Sequence, residues 1–149
     1  MPGRATHSWV GAAAGATAAV YRVRDMPADQ VLAAALGGVL GGWIGGVAPD
    51  VVEPATNPNH RGFAHSVSVG GALAYVPTTA VAAWCTAKAA AWDQSACVLP
   101  VGAPERSQAE LKAWLWRAAA GTAIGMVAGY ASHLLLDART PRGLPLLGA

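Results

Sequence analysis

Between two long uncharged runs the chain gathers Asp50, Glu53, His60, Arg61 and His65, and a second polar pair, His133 and Asp137, stands far downstream with a spacing of four. His7, near the start, completes the chain's histidines. Apolar flanks have no use for such groups in folding, and burying them unpaired is costly. Imidazole together with carboxylate suits Zn²⁺, Mn²⁺ or Fe²⁺ better than Ca²⁺ or Mg²⁺. A catalytic ion needs about three protein ligands and an open position where water is acidified to a nucleophile. His7, Asp50, His65, His133 and Asp137 exceed that count. They allow one or two divalent ions per chain, zinc first and manganese or iron next, and paired ions about 3.5–4 Å apart are common in phosphoester hydrolysis. Glu53 is open between ligand, general base and solvated loop acid. His60 is open between a catalytic group and one that orients a ligand. Arg61 suits a substrate phosphate or its transition-state charge, with pairing to Asp50 or a membrane headgroup as the alternative.

The elements that must position these residues follow from where charge is missing. The chain has 149 residues, which suits one domain over 1–149, and only 12% of them are charged. Residues 30–49 and 66–87 carry no charge, and residues 118–136 carry only His133. Each run is close to the ~20 residues that cross a bilayer core, and residues 8–21 form a shorter, marginal span. The expected fold is therefore all-α, a polytopic membrane bundle of about four helices, over residues 7–21, 28–47, 65–89 and 107–137. Pro49 is expected to stop the second helix. Ser107-Gln108-Ala109-Glu110 has capping-box spacing for the start of the fourth.

In an up-down-up-down bundle, the start of helix one, the end of helix two, the start of helix three and the end of helix four share one face. All four histidines fall on it. His7, Gly11 and Gly15 are spaced by four, as are Gly42, Gly46 and Asp50, and Gly121, Gly125, Gly129, His133 and Asp137. Residues four apart lie near one helix face, and glycine lets a neighbouring helix approach closely. The acids and histidines are thus expected inside the bundle at one end. The same ridges offer a route to a homo-oligomer. Trp84, Trp92, Trp114 and Trp116 gather at the opposite end, where an aromatic belt would lie.

A net charge of +2 with no basic stripe argues against nucleic acid as a partner. Cys85 and Cys97 make no metal motif, and both a disulfide and two free thiols fit their spacing.

His60-Arg61-Gly62-Phe63-Ala64-His65-Ser66, Gly129-Tyr130-Ala131-Ser132-His133 through Asp137, and Thr140-Pro141-Arg142-Gly143-Leu144-Pro145 together resemble the YdjM-type family. The likeness covers nearly the whole chain, His7 and Asp50 included. It implies a multi-pass protein of the bacterial inner membrane and a metal-dependent hydrolase, some members carrying a LexA-binding label. The order His7, Asp50, His65, His133, Asp137 is also distantly similar to helical zinc-dependent phospholipases C, which implies a phosphoester substrate, lipid-linked among the options. The family's acid-rich Pro-Asp-x-Asp-His stretch is altered here, with Val52 and Glu53 in its last two places, so one ligand is either lost or supplied by Glu53. The expected function is metal-dependent phosphoester hydrolysis at a lipid membrane. The alternative is a non-catalytic metal-binding membrane protein that recruits a partner or uses the ion structurally.

Overall fold

The computed structural model describes residues 3–54 and 63–138. Among them lie α1 (Arg4–Val23), α2 (Ala28–Val52), a 3₁₀ turn (Phe63–His65), α3 (Val69–Cys97) and α4 (Pro104–Ala138). The all-helical bundle expected from the uncharged runs is the fold of the chain. His60, Arg61 and the tail motif beginning at Thr140 lie outside the described residues.

The interior is built from the smallest residues. Gly37, Gly41 and Gly45 of α2 face α4, where a Cβ would run into the carbonyls of Ala118, Thr122 and Met126. Gly38, Gly42 and Gly46 face α1, where a Cβ would meet Gly15, Gly11 and His7. Gly125 and Gly129 of α4 close on Gly38 and Gly42, so Gly42 is the point where α1, α2 and α4 touch backbone to backbone. Consecutive glycines therefore serve two neighbours, one each. The ridges are engaged within the protomer.

Large apolar side chains point the other way. Leu32, Leu36, Val39, Leu40 and Trp43 of α2 and Leu111, Leu115 and Leu135 of α4 are exposed. Among the described residues, the bulkiest fully buried side chains are His65, His133, Pro49 and Ser66. A water-soluble domain buries its leucines and exposes its polar groups. This inversion is the reverse of a water-soluble domain's packing and suits an outer surface that meets hydrocarbon. α2 and α4 are each long and apolar enough to cross a membrane; α2, at 1.5 Å per residue, is about 37 Å long against a core of about 30 Å.

Three expectations are corrected. α2 does not stop at Pro49 but continues to Val52, and the Glu53 N–H closes the last turn on the Pro49 carbonyl at 2.8 Å. Proline removes one helix donor, and a membrane helix tolerates that loss. α4 begins at Pro104, ahead of Ser107, because proline suits the first helical position, where no N–H is needed. His65 belongs to the separate 3₁₀ turn, and α3 begins only at Val69. α3 also packs along α4 without extended contact with α1 or α2, so the core is the trio α1, α2 and α4. At the far end Trp84 and Trp116 meet edge to face at 4.9 Å, and Lys112 lies 4.2 Å from the Trp92 ring. Arg117 pairs with Asp93 across α3 and α4. Cys85 and Cys97 are free thiols, the first buried and the second exposed.

Candidate metal centre

The helix ends bring together His7 from α1, Asp50 from α2, His65 from the 3₁₀ turn, and His133 and Asp137 from α4. All three imidazoles and Asp137 are buried, while the Asp50 side chain keeps 23% of its surface. Asp50 reaches the cluster because α2 runs through Pro49 and leaves it on the last turn. His133 and Asp137, four apart, share one face of α4, with His133 Nε2 and Asp137 Oδ2 3.5 Å apart.

Two hydrogen bonds orient the rings. His133 Nδ1–H donates to the Gly46 carbonyl at 2.7 Å, and His65 Nδ1–H donates to Glu53 Oε2 at 3.0 Å. A carbonyl and a carboxylate only accept, so each neutral ring carries its proton on Nδ1 and presents the Nε2 lone pair. Both lone pairs turn toward the acids. His65 Nε2 lies 3.5 Å from Asp50 Oδ1 and 3.9 Å from Asp137 Oδ2, and His133 Nε2 lies 3.7 Å from the same Asp50 oxygen. His133 Nε2 and His7 Nδ1 are buried without a hydrogen-bond partner.

These separations test whether the residues fit an ion. The His65 and His133 Nε2 atoms each lie 3.5–3.9 Å from an oxygen of Asp50 and an oxygen of Asp137, separations that two ligands bound to one ion at the roughly 2.0–2.2 Å of zinc–nitrogen and zinc–oxygen bonds can have. Hydrogen-bonded pairs would lie nearer 2.8 Å. Two triads that share His133, His65–His133–Asp137 and His7–Asp50–His133, each bring their ligand atoms within 4.8 Å of one another, so each could hold an ion. His7 stacks on His133 with centroids 4.0 Å apart, and its Nε2 is 3.6 Å from Asp137 Oδ1, whereas His65 and His133 pair with Oδ2. Asp137 therefore faces histidines through both oxygens.

Glu53 belongs to neither triad. It stands at the Nδ1 edge of His65, opposite the edge that faces Asp50 and Asp137, which is the place of an orienting group. One further residue had no role in the sequence reading. The Tyr130 hydroxyl donates to the Ala64 carbonyl at 2.8 Å and also reaches that of Ser66 at 3.2 Å, clamping the turn that carries His65 onto α4. Its position three before His133 is the signal that could have found it, since both then lie on one face.

A family model described as YdjM inner membrane protein matches residues 1–148. The chain belongs to this family. The match spans α1 through α4 and so includes every member of the cluster. No curated protein and no solved structure matches the chain.

Proposed function

We propose that this YdjM family member is a multi-pass membrane enzyme that hydrolyses a phosphoester with a divalent metal ion, zinc before manganese or iron. The observation that carries the reading is the donor cluster itself: two triads that share His133, each with its ligand atoms within 4.8 Å of one another, on helix ends that pack through glycine. His65, His133, Asp50 and Asp137 would hold the ion, with His7 beside them. When bound, such an ion supplies Lewis acidity, polarising a phosphoryl oxygen and lowering the pKa of water.

The protein's own part is to fix these donors in a low-dielectric pocket. Rigid placement spares the transition state the cost of reorganising them. Arg61 is the proposed holder of the substrate's phosphate charge, and His60 the proposed partner in proton transfer. The surroundings favour a lipid-borne phosphoester. Trp9, Val51, Val52, Val67 and Leu135 are exposed on the stretches that carry or adjoin the cluster, a rim that matches acyl chains and leaves the headgroup phosphate at the ion's level.

The test pairs metal content with turnover. Protein purified in detergent is analysed by elemental mass spectrometry beside a His133→Ala, Asp137→Ala double variant. One or two equivalents of zinc, manganese or iron are expected in the wild type and none in the variant. Hydrolysis of a phosphatidic-acid or lipid-diphosphate panel in mixed micelles should disappear with chelator and return with metal. A metal-free wild type after reconstitution would overturn the reading. Full metal occupancy without hydrolysis of any phosphoester would leave the structural or partner-recruiting role.

A further inference from the structure

The two orienting hydrogen bonds differ in kind. His133 leans on a backbone carbonyl, that of Gly46, which no substitution removes and which the α2–α4 packing holds in place. His65 sits on a short 3₁₀ turn and leans on one replaceable side chain, Glu53, twelve residues earlier in the chain. We propose that Glu53 is a positioning residue, whose carboxylate selects the Nδ1–H tautomer of His65 and so presents Nε2 to the ion; this rests on the metal-site reading above.

The local structure explains how the carboxylate gets there. Glu53 follows the last residue of α2 and leaves the helix at φ −123° and ψ 80°, while its N–H still closes the final turn on Pro49. The chain thereby leaves α2 beside the cluster, and the Glu53 side chain reaches the His65 ring. Its own side chain is 20% exposed whereas that of His65 is fully buried. Truncating Glu53 therefore opens a site already partly at the surface, and leaves the core unaltered. What it removes is the acceptor that makes one tautomer preferable. Without it, the proton can move to Nε2 and point at Asp50 and Asp137, where it competes with any cation.

A carboxylate behind a ligating imidazole both fixes its orientation and strengthens it as a donor, and losing such a partner costs about 10–100-fold in metal affinity. Two substitutions separate these contributions. Glu53→Gln keeps an oxygen acceptor and drops the charge. Glu53→Ala drops both.

The experiment reads the apo and the metal-bound protein. In metal-free protein labelled with ¹⁵N-histidine, wild type and Glu53→Gln should show His65 with its proton on Nδ1, and Glu53→Ala should show a mixture. In zinc competition against a chromophoric chelator, affinity should fall about 10–100-fold for Glu53→Ala and less for Glu53→Gln. His133→Ala serves as the variant that removes a donor outright. If wild type binds no zinc, the metal-site reading fails, and the tautomer signals still judge Glu53. If wild type binds zinc and Glu53→Ala matches it in both affinity and tautomer, the proposal is overturned. Lost affinity with an unchanged His65 tautomer would also overturn it, because Glu53 would then act otherwise than by selecting the tautomer. Should Glu53→Ala not fold, Glu53→Gln still tests the proposal, since a wholly unprotonated Nδ1 in that variant contradicts it.

Discussion

Gly42→Ala is the substitution whose outcome the packing determines most sharply. In a helix interior this change ordinarily gains up to about 1 kcal/mol, because alanine loses less conformational freedom on ordering. At Gly42 the added methyl would stand 2.9 Å from both the carbonyl carbon of Gly11 and the Cα of Gly15, and closer still to the Gly11 oxygen. Ordinary carbon–carbon contact begins near 3.5 Å, so α1 must retreat from α2 by at least about half an ångström. These are backbone atoms, which have no rotamer to change. Overpacking of that kind costs about 1–3 kcal/mol, enough to reverse the gain. Gly71 in α3 is the counterpart, since a Cβ there meets nothing within 4 Å. Gly71→Ala should be neutral or stabilising by up to about 1 kcal/mol. Reversible unfolding in mixed micelles with increasing SDS compares the two variants directly. Because α1 brings only His7 to the cluster, Gly42→Ala should also weaken zinc binding less than His133→Ala does. A Gly42→Ala protein as stable as wild type, or equal losses at Gly42 and Gly71, would refute the claim that backbone contact at this crossing holds α1 in place.

Tyr130→Phe leaves the packing of the ring intact but releases the turn that carries His65, so stability should fall by about 1 kcal/mol and zinc affinity should drop several-fold in the competition titration; unchanged affinity would show that the turn is held by other contacts. Asp93→Asn weakens the one ion pair between α3 and α4 in the described residues, and since the Asp93 side chain is 38% exposed solvent screening limits the loss to about 1 kcal/mol or less. That pair lies at the end of the bundle away from the cluster, so the same variant should bind zinc as wild type does, and altered zinc affinity would show that the two ends are coupled.

Most of the cluster could be read from periodicity. A spacing of four ties His7 to the Gly11 and Gly15 ridge, Asp50 to Gly42 and Gly46, and His133 and Asp137 to Gly121, Gly125 and Gly129. Glycine ridges mark the packed faces, so the polar residues extending them had to point inward, and alternating helix direction then brought them to one end. Periodicity is silent about what happens between helices. It could not show that α2 runs past Pro49, that His65 rides on its own 3₁₀ turn, or that Glu53 turns back onto that ring. Those features depend on the path of the chain leaving a helix, where no repeat constrains it. Tyr130 was missed for another reason: its spacing of three from His133 places it on the same face, but its partners are backbone carbonyls of another segment, which side-chain spacing does not name.

The place of α3 outside the core was nonetheless written in the same code. α2 carries two adjacent stripes of glycine, 37/41/45 and 38/42/46, and it has two close neighbours, α4 and α1. Among the described residues α3 buries one stripe, Ala82, Cys85, Ala89 and Ala96, and packs extensively on one helix, α4. One stripe of small residues offers one face for close approach, and the bulky remainder, Tyr75, Val76, Val81 and Trp84, is exposed. On the multi-pass placement proposed above, there is little hydrophobic force to press a bulky face onto a second helix, because lipid tails solvate it as well as a neighbour would. The number of small-residue stripes on a helix therefore sets how many partners it can hold at close range. By that rule α1, α2 and α4 supply the rigid frame for His7, Asp50, His133 and Asp137. His65, arriving on the stretch before α3, which packs extensively on α4 alone, has the separate fastenings that Glu53 and Tyr130 provide.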